Sequence, residues 1–154
     1  MKKITQEELN TILDSHKIWL EDPTKGKRAD LNHMDLREMD FSNMDLRGAN
    51  FYDADLRGAN LEDADCEGAN FRNADCEGAN FKDADLRFTN FEGADCRNAD
   101  FKYANLNGTD CRNANCENAI FYGAYCRGTS FYRANCKNAN FNGAYLVMLK
   151  NRRK

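Results

Sequence analysis

Residues 29–148 repeat every five residues without one insertion or deletion, and no other feature of the chain narrows its fold as far. Each unit can be written around a central residue, with two residues before it and two after. From Ala29 there are 24 such units, centred on 31, 36, 41 and so on to 146, and the centres are only Phe (nine), Leu (eight) or Cys (seven). Two residues before the centre stands Ala in eighteen units; Met34, Met39, Met44, Thr89, Thr109 and Thr129 fill the rest. Immediately before the centre stands Asp or Asn in 20 of the 24. A stretch such as Ala49-Asn50-Phe51-Tyr52-Asp53-Ala54-Asp55-Leu56-Arg57-Gly58 shows the rule. A fixed period of this kind marks a repeat architecture, and it takes precedence over local propensities.

Five matches neither the 3.6-residue period of a helix nor the 2.0 of a strand. It fits a short extended piece followed by a corner, with the central and small residues pointing in and Gly, Asn or Asp turning the chain. Stacked coils of this kind pair their backbones with one another. A second period lies on top: Phe71, Phe81, Phe91 and Phe101 alternate with Cys76, Leu86 and Cys96, and Phe121, Phe131 and Phe141 with Cys126 and Cys136. A narrow tube cannot take a large ring from every wall at one level. Alternation therefore implies an even number of walls.

The unit of small residue, Asp/Asn, Leu/Phe and two polar or small residues resembles the pentapeptide-repeat family, over about three quarters of the chain. Cys at seven centres departs from the usual Leu/Phe and changes packing volume rather than topology. The resemblance implies an all-β fold: a right-handed quadrilateral parallel β-solenoid with four units per coil. Here that gives six coils, roughly 29 Å long at about 4.8 Å per strand spacing. Residues twenty apart then share a wall. One wall carries Leu36, Leu56, Cys76, Cys96, Cys116 and Cys136, and the opposite wall Leu46, Cys66, Leu86, Leu106, Cys126 and Leu146.

A solenoid needs covered ends to prevent edge-to-edge pairing. Residues 1–28 do not repeat and read as an N-terminal cap. Thr5-Gln6-Glu7-Glu8 is a capping box, with Ile4 and Leu9 placed as a hydrophobic staple. Leu9, Ile12, Leu13 and His16 follow at helical spacing, which predicts a helix over about 6–16. An extended Ile18-Trp19-Leu20 and a turn at Asp22-Pro23 follow it, with Trp19 a lid residue. At the other end Tyr145-Leu146-Val147-Met148-Leu149 is apolar where the repeat wants polar residues, ahead of a basic tail over 149–154. Some members of the resembled family dimerise through this end, so a homodimer there is the expectation.

Nothing in the chain resembles a phosphate loop, a metal motif or a carboxylate dyad. All seven cysteines sit at inward centres with no CxxC pair, which suits small core residues and not a tetrahedral zinc site. Seven buried thiols fit a reducing cytoplasm. His16 and His33 have no nucleophile beside them, so no enzyme and no cofactor are expected. The charged start and the lack of a long apolar run argue against a secretory leader and a membrane span. A formal charge of −3 argues against direct nucleic-acid binding.

What remains is a protein-interaction module with an unknown protein partner. Two outward surfaces are candidates. Residues 29–90 hold 15 acidic and 6 basic residues, whereas 91–148 hold 5 and 6. Asp35, Asp55, Asp75 and Asp95 stack on one wall, and Asp45, Asp65 and Asp85 on the opposite one. Some members of the resembled family mimic duplex DNA and bind DNA gyrase, so a gyrase-binding, quinolone-resistance type of protein is the alternative. The acidic excess stops halfway, however, and Arg37, Arg47, Arg57 and Arg87 stand two residues from Asp on the same walls. The second surface is apolar: Ile120, Tyr125 and Tyr145 replace Asp/Asn, Tyr122 sits at another outward position, and Val147, Met148 and Leu149 follow. Phe88 stands where the repeat wants a small or polar residue, and a local bulge is expected there.

Overall fold

The structure, a computed structural model, describes residues 1–147; Met148, Leu149 and the basic tail lie outside the described residues. From residue 29 onward each residue before a centre pairs in parallel with the residue twenty further on, from Asp30↔Asn50 to Tyr125↔Tyr145. The chain is thus a β-helix solenoid with four short bridged segments in every twenty residues. Each bridge uses both backbone groups: the Asn50 N–H donates to the Ala29 carbonyl (3.0 Å) and the Asn50 carbonyl accepts from the Leu31 N–H (2.8 Å).

The corners explain the repeat's composition. The carbonyl of a central residue accepts from the N–H three residues on, as in Phe51 and Ala54 (3.0 Å). From His33 to Gly143 the second residue after each centre has a positive φ, which Gly adopts freely and Asn or Asp tolerate. His33, Glu38, Phe88, Tyr103 and Arg133 hold the same conformation without that freedom. The Asp or Asn before the centre accepts, through Oδ1, the N–H two residues later, as Asn50 does from Tyr52 (3.2 Å). One side chain therefore stiffens each corner that an Asp or Asn precedes.

Inside, equivalent rings stack coil on coil. Phe51, Phe71 and Phe91 lie 4.7 and 4.6 Å apart with planes within 5°. Phe81, Phe101, Phe121 and Phe141 continue the same way on the facing wall. Across the tube the two stacks meet edge to face, as in Phe71–Phe81 at 5.7 Å and 88°. Each such pair contributes about 0.5–1.5 kcal/mol beyond burial. Leu and Cys on the other two walls leave room for this. All seven cysteines are free, and only Cys136 is not buried.

The N-terminal segment seals the first coil by satisfying its backbone edge wall by wall. Strand β1 (Lys2–Lys3) pairs in parallel with β2 (Met34–Asp35), adding a layer to one wall that the sequence did not announce. Helix α1 (Gln6–Glu21) opens on the capping box read from the sequence, Thr5 and Glu8 each bonding the other's backbone. The Gln6 amide then stands in for a strand at the next wall, donating to the Asp40 carbonyl (3.0 Å) and accepting the Asp40 N–H (3.2 Å). His16, fully buried, accepts the Ala29 N–H through Nδ1 at 3.0 Å. The helix runs to Glu21, not to about 16, so Ile18-Trp19-Leu20 is helical rather than extended. Trp19 stacks on His16 one turn earlier at 5.4 Å, which carries the inner face onward, and Pro23 follows the end at Asp22.

Candidate interaction surface

The acidic stripe is held in place by arginine. Arg37, Arg47 and Arg57 each chelate the Asp two residues before them, with Nε–Oδ1 of 2.8–2.9 Å and Nη2–Oδ2 of 2.6–2.7 Å. Arg87 and Arg97 do the same to Asp85 and Asp95. The Arg37 and Arg57 guanidinium groups hold the Asp35 and Asp55 carboxyls below the ordinary carboxylate range. Arginines also reach along the wall, Arg87 to Glu67 (3.1 Å) and Arg97 to Glu77 (3.4 Å). Asp65 and Asp75 are the exceptions. They are followed by Glu67 and Glu77 in place of Arg, and desolvation pushes both carboxyls up. Asp65, Glu67 and Asp85 bring carboxylate oxygens within 4.8 Å of one another, but Arg87 bonds both Glu67 and Asp85 and supplies the cation there.

The bridges place part of each candidate surface on one wall. The column Asp45, Asp65, Asp85 continues as Asn105, Tyr125 and Tyr145. A single wall therefore passes from paired charge, through amide, to exposed aromatic rings. Grouping the acidic and aromatic residues separately in the sequence concealed that continuity; the twenty-residue spacing was the signal that could have revealed it. Tyr125 and Tyr145 stack at 4.8 Å and 5°, and are 46% and 60% exposed. Around the adjoining corner Tyr103 meets Tyr122 edge to face at 5.7 Å. Ile120 is half-buried, and Val147 is exposed. Replacing Asn with Tyr125 removes the corner's usual acceptor, and Asn107 of the preceding coil compensates by accepting the Arg127 N–H (2.8 Å).

Phe88 makes no bulge. It keeps both its bridge to Asn107 (3.1 Å) and the corner bond from Thr89 to Leu86 (3.2 Å). Its ring lies over Gly108, one coil on, where a Cβ would stand 2.7 Å from two ring carbons. Tyr103 covers Gly123 in the same way. Phe88 and Tyr103 are thus each paired with a missing side chain one coil above.

At the far end the last coil is less covered. Phe131, Cys136 and Phe141 are half-buried, and Leu146 is 49% exposed. Among the described residues, the N–H groups of Phe131, Cys136 and Phe141 have no backbone acceptor. A hollow of about 530 Å³ opens here, lined by Cys126, Thr129, Phe131, Leu146 and Val147 among others. His33 sits at an exposed corner with Nδ1 3.7 Å from Asp53 Oδ2.

Comparison with known proteins adds three findings. The family pattern described as "Pentapeptide repeats" matches in eight copies, over residues 27–63, 49–87, 79–110 and 109–146. No curated protein matches the chain. Among solved structures, the pentapeptide repeat protein Rfr23 from the cyanobacterium Cyanothece 51142 is 20% identical, covering 88% of this chain and 99% of its own, with a TM-score of 0.47. A pentapeptide repeat protein of the Arabidopsis thaliana thylakoid lumen is 36% identical over 73% of this chain and 68% of its own, with a TM-score of 0.34. QnrB1, a plasmid-mediated fluoroquinolone resistance protein, is 19% identical over 78% and 77%, with a TM-score of 0.34. The repeat of 24 units, the twenty-residue bridge register and the match across residues 27–146 agree: the chain belongs to the pentapeptide repeat family.

Proposed function

We propose that this protein is a rigid, non-catalytic protein-interaction module of the cytoplasm, built as a right-handed quadrilateral solenoid of six coils. The observation that carries this reading is the stacked, exposed pair Tyr125 and Tyr145 on a wall that their own backbones already bridge to each other and to the coils before. The fold needs no aromatic there, since Asp or Asn fills the same place lower on the wall. Rigid exposed aromatics at low entropic cost are what protein interfaces select. The partner surface comprises Tyr122, Tyr125, Tyr145 and Val147 with Ile120 at its margin, and Met148 and Leu149 are proposed to extend it. We further propose that a second copy packs on the C-terminal end, where among the described residues Leu146 is exposed and the N–H groups of Phe131, Cys136 and Phe141 have no backbone acceptor.

Sedimentation equilibrium of the full chain tests this. The wild type is expected to sediment as a dimer, and the double variant Tyr125→Asn, Tyr145→Asn as a monomer with an unchanged melting temperature. A variant that remains fully dimeric reduces the tyrosine stack to a cover for its own backbone.

DNA gyrase as target is the weaker reading. It rests on the acidic excess of residues 29–90, and above all on Asp65, Glu67, Asp75 and Glu77, where no arginine follows in the unit. Chelation of the other aspartates by arginine works against it, because a row of neutralised carboxylates is not a row of phosphates. Inhibition of supercoiling, or protection from a quinolone, at low micromolar protein would favour it.

A further inference from the structure

One wall carries Cys76, Cys96, Cys116 and Cys136 in succession. The bridges Asp75↔Asp95, Asp95↔Asn115 and Asn115↔Asn135 hold these four in register. Cys76, Cys96 and Cys116 each donate a backbone N–H to the next coil at 2.7 Å. The phenylalanine stacks measure what such register does to side chains: equivalent groups lie parallel, 4.6–4.9 Å apart. A column of one residue type therefore presents the same atom repeatedly at strand spacing. Cys66, Cys111 and Cys126 lack this relation, because their neighbours above and below on their own walls are Leu or Phe.

Parallel stacking suits a disulfide poorly, since the Cβ–S–S–Cβ dihedral must approach a right angle. It suits a metal ion bound in line between two sulfurs. Two metal–thiolate bonds of about 2.3 Å end to end span about 4.6 Å, close to the 4.6–4.9 Å at which the phenylalanine rings repeat from coil to coil. Among the described residues no three cysteines converge, so a tetrahedral zinc site is not formed. Soft thiolates in a two-ligand arrangement select Cu(I).

We propose that Cys116 and Cys136 form a linear dithiolate site for a soft monovalent cation of the Cu(I) type, entered from the C-terminal end of the tube. Cys136 is the one cysteine that is not buried, and its thiol adjoins that of Cys116. Cys76 and Cys96 repeat the geometry deeper in the core. Uptake breaks two S–H bonds, forms two Cu–S bonds and releases two protons. Copper and sulfur keep their oxidation states, and the product carries one negative charge beside the open end.

The test is an anaerobic titration of the reduced full-length protein with Cu(I) against a competing chelator, read by ultraviolet thiolate-to-copper absorbance and native mass spectrometry. Cys136→Ser and Cys116→Ser should each weaken the first equivalent by more than the roughly 10–100-fold lost with an outer-shell partner. Cys66→Ser and Cys126→Ser should leave it unchanged. Cu(I) should raise the melting temperature of the wild type, because a site built by the register exists only in the folded chain. Wild-type affinity in Cys136→Ser overturns the proposal. So does a fall in melting temperature with the loss shared evenly among all seven cysteines, the signature of binding to unfolded thiols. Cys136 lies at the margin of the core, so its serine variant folds even where Cys116→Ser does not, and circular dichroism verifies this.

Discussion

His16 accepts the Ala29 N–H at Nδ1, so the ring's own proton must sit on Nε2, a buried atom without a hydrogen-bond partner among the described residues. Burial pushes this imidazole below its ordinary 6.5, the nearby Asp45 opposes that, and the charges of Arg28 and Arg47 add to it. Protonation would set two donors against each other at Nδ1. A base whose folded value is lowered binds its proton more readily when unfolded, so its stabilisation is complete above about pH 6.5 and is lost as pH falls below it. Urea unfolding at pH 8, 7, 6 and 5 should show stability dropping over the lower part of that range. The paired aspartates contribute loss only further down, below 3.8, since their values are depressed. His16→Leu should flatten the profile and leave the buried Ala29 N–H unpaired, at a cost of about 1–3 kcal/mol at pH 8. A wild-type profile already flat from 8 to 5 would mean that the cap tolerates the charged ring. Helical spacing was enough to place His16 on the lid. Its partner was not legible, because that depends on where residues 22–28 return the chain.

Corners show how far a repeat determines its own exceptions. Periodicity alone gave the turn position, and Gly, Asn or Asp at most corners agreed with it; Phe88 looked like a fault because its partner stands twenty residues away, at Gly108. Two costs meet there and can be separated. Gly108 has φ +72 and would place a Cβ 2.7 Å from the Phe88 ring, whereas Gly68 has φ +68 and nothing within 4 Å. Gly68→Ala should therefore cost only the left-handed strain, about 1–2 kcal/mol. Gly108→Ala should cost that and the clash besides. In a Phe88→Asn background the excess should vanish, giving a coupling of about 0.5–3 kcal/mol by denaturant melts. If the two glycines cost the same, the ring moves aside freely and is not held by its neighbour. Helix α1 teaches the same lesson at its end. A change of pattern after His16 suggested extended chain, but Trp19 continues the inner face through its stack on His16, and only Pro23 enforces a stop. Strand β1 left no trace in the sequence, since two lysines carry no strand signal apart from the edge they join.

At the scale of the molecule, the two ends differ. The first coil's edge is satisfied by β1, Gln6 and His16, whereas among the described residues the N–H groups of Phe131, Cys136 and Phe141 in the last coil have no backbone acceptor. An object with one sticky end closes as a pair, and one with two sticky ends grows into a filament. The closed dimer proposed above thus depends on the cap as much as on the C-terminal wall. Leu9, fully buried on the inner face of α1, is the place to test that dependence. Leu9→Asp buries an unpaired carboxylate at a cost of about 3–5 kcal/mol, enough to lift the helix. Coils contact only their neighbours, so the damage should stop near the first one and leave the rest of the solenoid folded. Sedimentation velocity should then show species growing with concentration, where the wild type stays at two chains. Adding Leu146→Asp should return the double variant to finite assemblies, because one end is again blocked. If Leu9→Asp alone never exceeds a dimer while circular dichroism reports the helix lost, then the Asp and Arg side chains fringing the first coil are sufficient protection. The cap would in that case stabilise the first coil without governing assembly.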